Sequence, residues 1–228
     1  MSTFCLVGST GLVGNNILGT LCKRPEVNVL YAFSRRDLPL SDNIKSIRSD
    51  SSTWAQQYPA GVAVFISGLG TTRAAAGGFD AQYRIDHDLN LELATAAKHA
   101  GTRVYVLISS SGANSSSLFG YPKMKGKLED EVKALDFDHT VVLRPGLIVG
   151  ERSSYDSRTA EYVLRKTAEL AGSVSNKLKD FWAQDAEVIG KAAVRAALDC
   201  LEGRQKQKVV VLSQAGKSRI SKRERYKH

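Results

Sequence analysis

Tyr121 and Lys125 stand four residues apart in the run Tyr121-Pro122-Lys123-Met124-Lys125, so a helix puts both side chains on one face. A phenol titrates near pH ~10 and exchanges protons poorly in neutral solution. A neighbouring ammonium stabilises the phenolate, lowers that value and makes tyrosine useful as a general acid or base. Upstream, Ser109-Ser110-Ser111 closes a strand-like run, where a hydroxyl can hold a substrate carbonyl oxygen. A Tyr-x-x-x-Lys pair also occurs on ordinary surface helices, so its meaning depends on what precedes it.

What precedes it is a glycine turn, Gly8-Ser9-Thr10-Gly11-Leu12-Val13-Gly14, between a strand-like run and a helix-like one. In that context the first glycine permits a tight turn and the second lets backbone approach a pyrophosphate. The third lets helix and strand pack closely, with the helix N–H groups facing the phosphate charge. The spacing is GxxGxxG rather than GxGxxG. About 20 residues on, an acidic residue would receive the ribose 2′-hydroxyl of NAD. Here Ser34-Arg35-Arg36 stands in its place, and planar guanidinium donors suit a 2′-phosphate. The cofactor expected from these residues is NADPH.

The elements that must position these groups alternate along the chain. Thr3–Val7, Asn28–Ser34, Ile44–Arg48, Val62–Ser67, Val104–Ile108 and His139–Arg144 read as strands. Val13, Ile17, Leu18 and Leu21 recur at helical spacing, as do Leu89, Leu93 and Ala97 within Asp86–Ala100, which Gly101 stops. A further helix runs from about Tyr121 to Leu135. The stretch after the fourth strand reads as a long loop rich in glycine and alanine. Strands alternating with helices predict an α/β doubly wound parallel sheet of the NAD(P)-binding Rossmann type. Beyond Gly150 the pattern loosens into a short C-terminal helical substrate region, with helices near Ala160–Ala171 and Glu187–Leu201 and a last strand at Val209–Leu212. Residues 1–215 are therefore read as one domain, 151–215 being its reduced substrate region, and 216–228 as a tail.

Composition narrows the surroundings. A chain of 228 residues can bury a full core without disulfides or metal. Cys5, Cys22 and Cys200 are scattered and form no CxxC pair, as expected of buried thiols in a reducing compartment, and no metal site is expected. The tail carries Lys217, Arg219, Lys222, Arg223, Arg225 and Lys227 against Glu224, five of the nine net positive charges. It suits a frayed terminus or peripheral contact with an anionic membrane. Only Tyr226 interleaves the cations, so nucleic acid is not the expected partner. No run approaches the ~18 apolar residues of a membrane span, and with strand-like residues from Thr3 no cleavable presequence is expected.

The order of glycine turn, basic pair, serine strand end and Tyr-x-x-x-Lys resembles the extended or atypical short-chain dehydrogenases/reductases. Gly70-Thr71-Thr72-Arg73, Ser109–Ala113, Tyr121–Gly126 and Leu143–Gly146 are similar to the Tat-interacting-protein oxidoreductases. Thr71–Asn90 and Ala134–Gly146 resemble the fungal FMP-type proteins of the mitochondrial outer membrane. The likeness runs from Thr3 to about Glu151. It implies cofactor contacts at Thr10, Gly11, Leu12, Val13, Arg35, Arg36, Leu69, Gly70, Tyr121, Lys125 and Ile148. It implies Tyr121 as acid/base, Lys125 holding the nicotinamide ribose and tuning Tyr121, and Ser110, or Ser111, as the active serine. A peripheral place on the cytosolic face of the mitochondrial outer membrane also comes from the resemblance alone. Two functions follow: an oxidoreductase on an unidentified carbonyl or alcohol, and a non-catalytic NADPH-binding regulatory or interaction protein. The sequence names neither the small-molecule substrate nor an oligomeric state.

Overall fold

Three apolar residues and a serine, Val64–Ser67 (β4), and five residues more, Val104–Ile108 (β5), are buried along their whole length. Strands covered on both faces take that composition, because neither set of alternate side chains meets water. The computed structural model describes residues 1–38, 42–149 and 183–213. Around β4 and β5 lie β1 (Ser2–Val7), β2 (Val27–Ser34), β3 (Ile44–Arg48), β6 (His139–Leu143) and β9 (Val209–Leu212). Together they form one seven-stranded sheet, ordered β3-β2-β1-β4-β5-β6-β9, in which every pairing is parallel. A second, two-stranded sheet pairs β7 (Leu147–Val149) with β8 (Ala183–Asp185).

The strand order reverses between β1 and β4, and ligands of such sheets bind outside the strand ends at that switch point. The core divides accordingly. Phe4 and Leu6 of β1 point into one apolar layer with α1 (Leu12–Cys22) and α6 (Ala186–Leu201). Cys5 and Val7 point into the other, with α4 (Leu89–His99), α5 (Gly120–Ala134) and the ring series Trp54, Phe33, Tyr58, Phe65, Tyr105 and Phe137. The three cysteines are free thiols, two of them buried.

The expected elements recur with small shifts of boundary, and the C-terminal helix and strand form as expected. Residues 186–212 supply the layer over α1 and the seventh strand. One stretch differs from expectation. Between β4 and α4 the supposed loop holds α2 (Arg73–Ala76) and α3 (Phe79–Tyr83), followed by one π-helical turn, Arg84–Asp88. The Thr72 hydroxyl accepts the Ala75 N–H at 3.1 Å to start α2, and Gly77, at φ 86°, ends it. These local devices outweigh a glycine-rich composition that on its face reads as coil. The expected helix at 160–171 and the basic tail lie outside the described residues.

The glycine turn is closed by contact. Gly8 has φ +81°, and a Cβ there would stand 2.5 Å from the Gly68 carbonyl carbon and oxygen. A Cβ on Gly14 would lie 2.0 Å from the Gly8 carbonyl oxygen. Gly8→Ala is therefore expected to cost about 2–4 kcal/mol, from the left-handed backbone and the overpacking together. Gly19, exposed on α1 with nothing near its Cβ direction, provides the contrast. Gly19→Ala is expected to stabilise by roughly 0.5–1 kcal/mol. Denaturant unfolding of the two variants checks the opposite signs.

Candidate functional site

At the switch point the chain leaves a hollow of about 320 Å³. One wall is the turn itself, with Gly8, Thr10, Gly11 and Leu12. The floor of the opposite wall is the loop after β4, from Gly68 to Thr72. Arg35 and Arg36 close one end, beside Phe33, Ser51 and the buried Trp54. The arginine pair is set by Ser34, whose hydroxyl accepts the Arg36 N–H at 3.0 Å and donates to the Arg36 carbonyl at 2.7 Å. Asp37, the acid that follows, is drawn to Arg48 at 2.8 Å instead. Both guanidiniums are exposed at the rim, where an anionic group can reach them.

The loop after β4 owes its shape to side chains from the helices beside it. Asn90, fully buried on α4, accepts the Ser67 hydroxyl at 2.5 Å and donates to the carbonyls of Ile85 and Asp86 at 3.2 Å each. Gln82 donates to the Thr71 carbonyl at 2.9 Å, and Asp86 accepts the Thr71 N–H at 2.6 Å. These three polar residues were not singled out from the sequence. Their signal was present in the run from Gln82 to Asn90, where buried polar groups at helical spacing interrupt an otherwise apolar face.

Helix α5 carries the second part of the site. Tyr121, Lys125 and Glu129 follow at i, i+4 and i+8 on one face, and each meets a different element. Tyr121 faces the Ser110 hydroxyl at the end of β5. Lys125, buried, stands 3.5 Å from the buried Asp86 carboxylate of the π turn. Glu129, with no exposure, accepts the Ser109 hydroxyl at 2.6 Å and receives Arg144 by two bonds of 3.0 and 2.7 Å. The serine run is thereby sorted: Ser109 is structural, Ser110 turns to the phenol, and Ser111 is exposed.

Tyr121 opens on a second, shallower hollow with Thr71, Thr72, Arg73, Phe79, Gln82 and Gly120. Thr71 and Thr72 border both hollows, so the two adjoin at this loop. Of the expected cofactor residues, the hollow gathers Gly8, Thr10, Gly11, Leu12, Arg35, Arg36, Leu69 and Gly70. Val13 and Gly14 are buried beneath it, on the packed side of α1. Lys125 lies behind Tyr121, and Ile148, half-buried on β7, lines neither hollow.

One electrostatic expectation is reversed. Lys125 was expected to bring the Tyr121 phenol down towards neutral pH. Instead, desolvation of the phenol oxygen and the Asp86 carboxylate push the phenol up to about 12, against a smaller pull from Ser110, although the residue as a whole is 40% exposed and water there moderates the rise. The ammonium is engaged by Asp86, whose own carboxyl is raised by burial while Lys125 and the Thr71 N–H oppose that rise. A cation already countered by an anion lends little field to a third group.

Sheet order, glycine turn and switch-point hollow define an α/β protein with the NAD(P)-binding fold. The chain belongs to the FMP52 family: a family model described as HIM1 matches residues 41–177, and named relatives match nearly the whole length. The mitochondrial protein fmp52 of Aspergillus clavatus is 50% identical over 212 residues, covering 89% of this chain and 90% of its own. The mitochondrial protein fmp-52 of Neurospora crassa is 42% identical over 219 residues, covering 92% and 90%. Among solved structures, MoeE5 in complex with UDP-glucose and NAD superposes with a TM-score of 0.69 at 16% identity, covering 92% of this chain and 75% of that one. A short chain dehydrogenase family protein from Francisella tularensis superposes with a TM-score of 0.68 at 11% identity, covering 96% and 99%. At those identities the likeness is one of fold. Among the described residues no helix is long and apolar enough to cross a membrane.

Proposed function

We propose that the chain is an NADPH-dependent oxidoreductase of the short-chain dehydrogenase/reductase type that acts on a carbonyl or alcohol. The observation that carries this reading is that the two hollows share the Thr71–Thr72 loop as a common border. Tyr121 and Ser110 stand where the loop Thr71–Thr72 joins them to the glycine turn and the arginine pair. The residues fit the nucleotide on two counts. Gly8 and Gly14 leave no room for a Cβ in a turn built on backbone, and two guanidiniums stand at one end of the hollow, suited to a 2′-phosphate. Solved structures of the same fold include complexes with NAD, which supports a dinucleotide in this hollow.

Held by the glycine turn and the Arg35–Arg36 pair, NADPH would supply the hydride for the substrate carbon. The chain's own part is to hold the carbonyl oxygen with the Ser110 hydroxyl and to give that oxygen a proton from the Tyr121 phenol. The names of the relatives support a mitochondrial site, and the proposal extends this to the cytosolic face of the outer membrane, held peripherally through the basic tail.

The test is direct binding of NADPH and NADH followed by a carbonyl panel scored by NADPH oxidation. Arg35→Ala with Arg36→Ala is expected to weaken NADPH by about 100-fold or more and leave NADH nearly unchanged, since each charge-assisted contact is worth about 1.5–3 kcal/mol. Equal losses for both nucleotides would remove the 2′-phosphate assignment. NADPH binding with no oxidation across the panel would leave the non-catalytic reading standing.

A further inference from the structure

Asp86 is an acid buried beside the loop that joins the two hollows, and the mechanism above gives it no part. It sits on the single π-helical turn of the described chain, a geometry that widens the helix and often marks functional positions. Its two oxygens are committed to different tasks. Oδ1 accepts the Thr71 N–H at 2.6 Å, and Oδ2 stands 3.5 Å from Lys125 Nζ. Gly70 leaves its Cβ direction open to the same carboxylate, 3.4 Å away. The carboxylate therefore links the loop shared by the two hollows to the helix that presents Tyr121.

We propose that Asp86 is a positioning residue that ties the Lys125 ammonium to the π turn and so sets Tyr121 to work as a proton donor at neutral pH. The proposal rests on the oxidoreductase reading and adds a residue that sets its proton donor. The charged and titratable groups around the phenol are Lys125 beside it on α5, Asp86 on the π turn and Arg73 of α2 across the open hollow. His87, next to Asp86, turns away to Asp88 and Glu131, and Glu129 is committed to Arg144 and Lys133. A lysine free of Asp86 would stabilise the phenolate, the form that takes a proton from an alcohol. A lysine countered by Asp86 leaves the phenol protonated through neutral and mildly basic pH, the form that gives one to a carbonyl.

The sign of the effect follows. Removing the anion while keeping the cation lowers the phenol, and removing the cation while keeping the anion raises it. The experiment titrates Tyr121 in the nucleotide-free protein by ultraviolet difference absorbance, each variant read against the same variant carrying Tyr121→Phe. Asp86→Asn keeps an oxygen for the Thr71 N–H and is expected to lower the Tyr121 midpoint by at least about one pH unit. Lys125→Met is expected to move it up. Opposed shifts support the proposal; shifts in one direction, or none, overturn it, because a merely structural role loosens the site alike from either side. In turnover, Asp86→Asn is expected to bring the alkaline loss of carbonyl reduction, and with it the rise of alcohol oxidation, to lower pH. The two readings separate cleanly. Opposed titration shifts without any turnover would keep Asp86's role and sink the enzyme, and turnover without those shifts would do the reverse.

Discussion

Arg144→Met is expected to lower the free energy of unfolding by about 3–5 kcal/mol, the usual cost of stripping one partner from a buried ion pair. Methionine keeps most of the arginine stem packed, so the loss reports on charge. Glu129 is wholly enclosed, whereas Arg144 is partly open to water. Take away the arginine, and a carboxylate stays inside with only the Ser109 hydroxyl and Lys133 at 3.5 Å. Take away the acid's charge with Glu129→Gln, and Arg144 can turn to solvent while the amide still meets Ser109. That change is expected to cost only about 1–2 kcal/mol. In a chain of this size the Arg144 variant should melt about 10 °C lower. Chemical unfolding of both variants gives the order, and equal costs would rule out the asymmetry. The pair also ties β6 and the end of β5 to α5, so its loss should loosen the hold on Tyr121.

Tyr121→Phe is expected to reduce NADPH-dependent carbonyl reduction by about 10²–10⁴-fold, the range that a positioned proton donor contributes. NADPH affinity should change little, because the glycine turn and the arginine pair are untouched. Phenylalanine keeps the ring, so the effect isolates the hydroxyl. The phenol's position near 12 adds a pH signature. A group needed in its protonated form and titrating that high keeps the wild-type reduction flat through neutral and mildly basic pH. Activity is lost only as the pH nears the phenol's own value. Single-turnover oxidation of bound NADPH measures the step, and an undiminished rate in the variant would end the assignment of Tyr121.

Much of this was legible in the residues. The largely apolar runs of β4 and β5 read plainly as buried strands, and glycines at 8, 11 and 14 between strand and helix leave few alternatives to a phosphate turn. The Tyr121–Lys125 spacing correctly places both on one helical face. Spacing along one helix, however, says nothing of what stands opposite. Asp86 comes from another element 39 positions away, and it decides which way the lysine's charge acts. The fold also separates the three serines, which are alike in sequence, because one meets Glu129 and the next meets the phenol. The short helices after β4 were missed because their capping lies in single hydroxyls and a left-handed glycine, features that composition averages away.

The layer over α1 comes from the far end of the chain. Ile17 and Leu21 are covered by α6, and the two helices approach so closely that a Cβ on Gly190 would stand 3.0–3.1 Å from Asn16 and Ile17. During synthesis the helix after the glycine turn emerges early, and its cover follows only after more than 160 further residues have left the ribosome. Until then its apolar face is bare, the condition in which large α/β chains aggregate or need chaperones. A chain released before residue 186 would retain every motif for the cofactor and yet lack the helix that makes α1 stable.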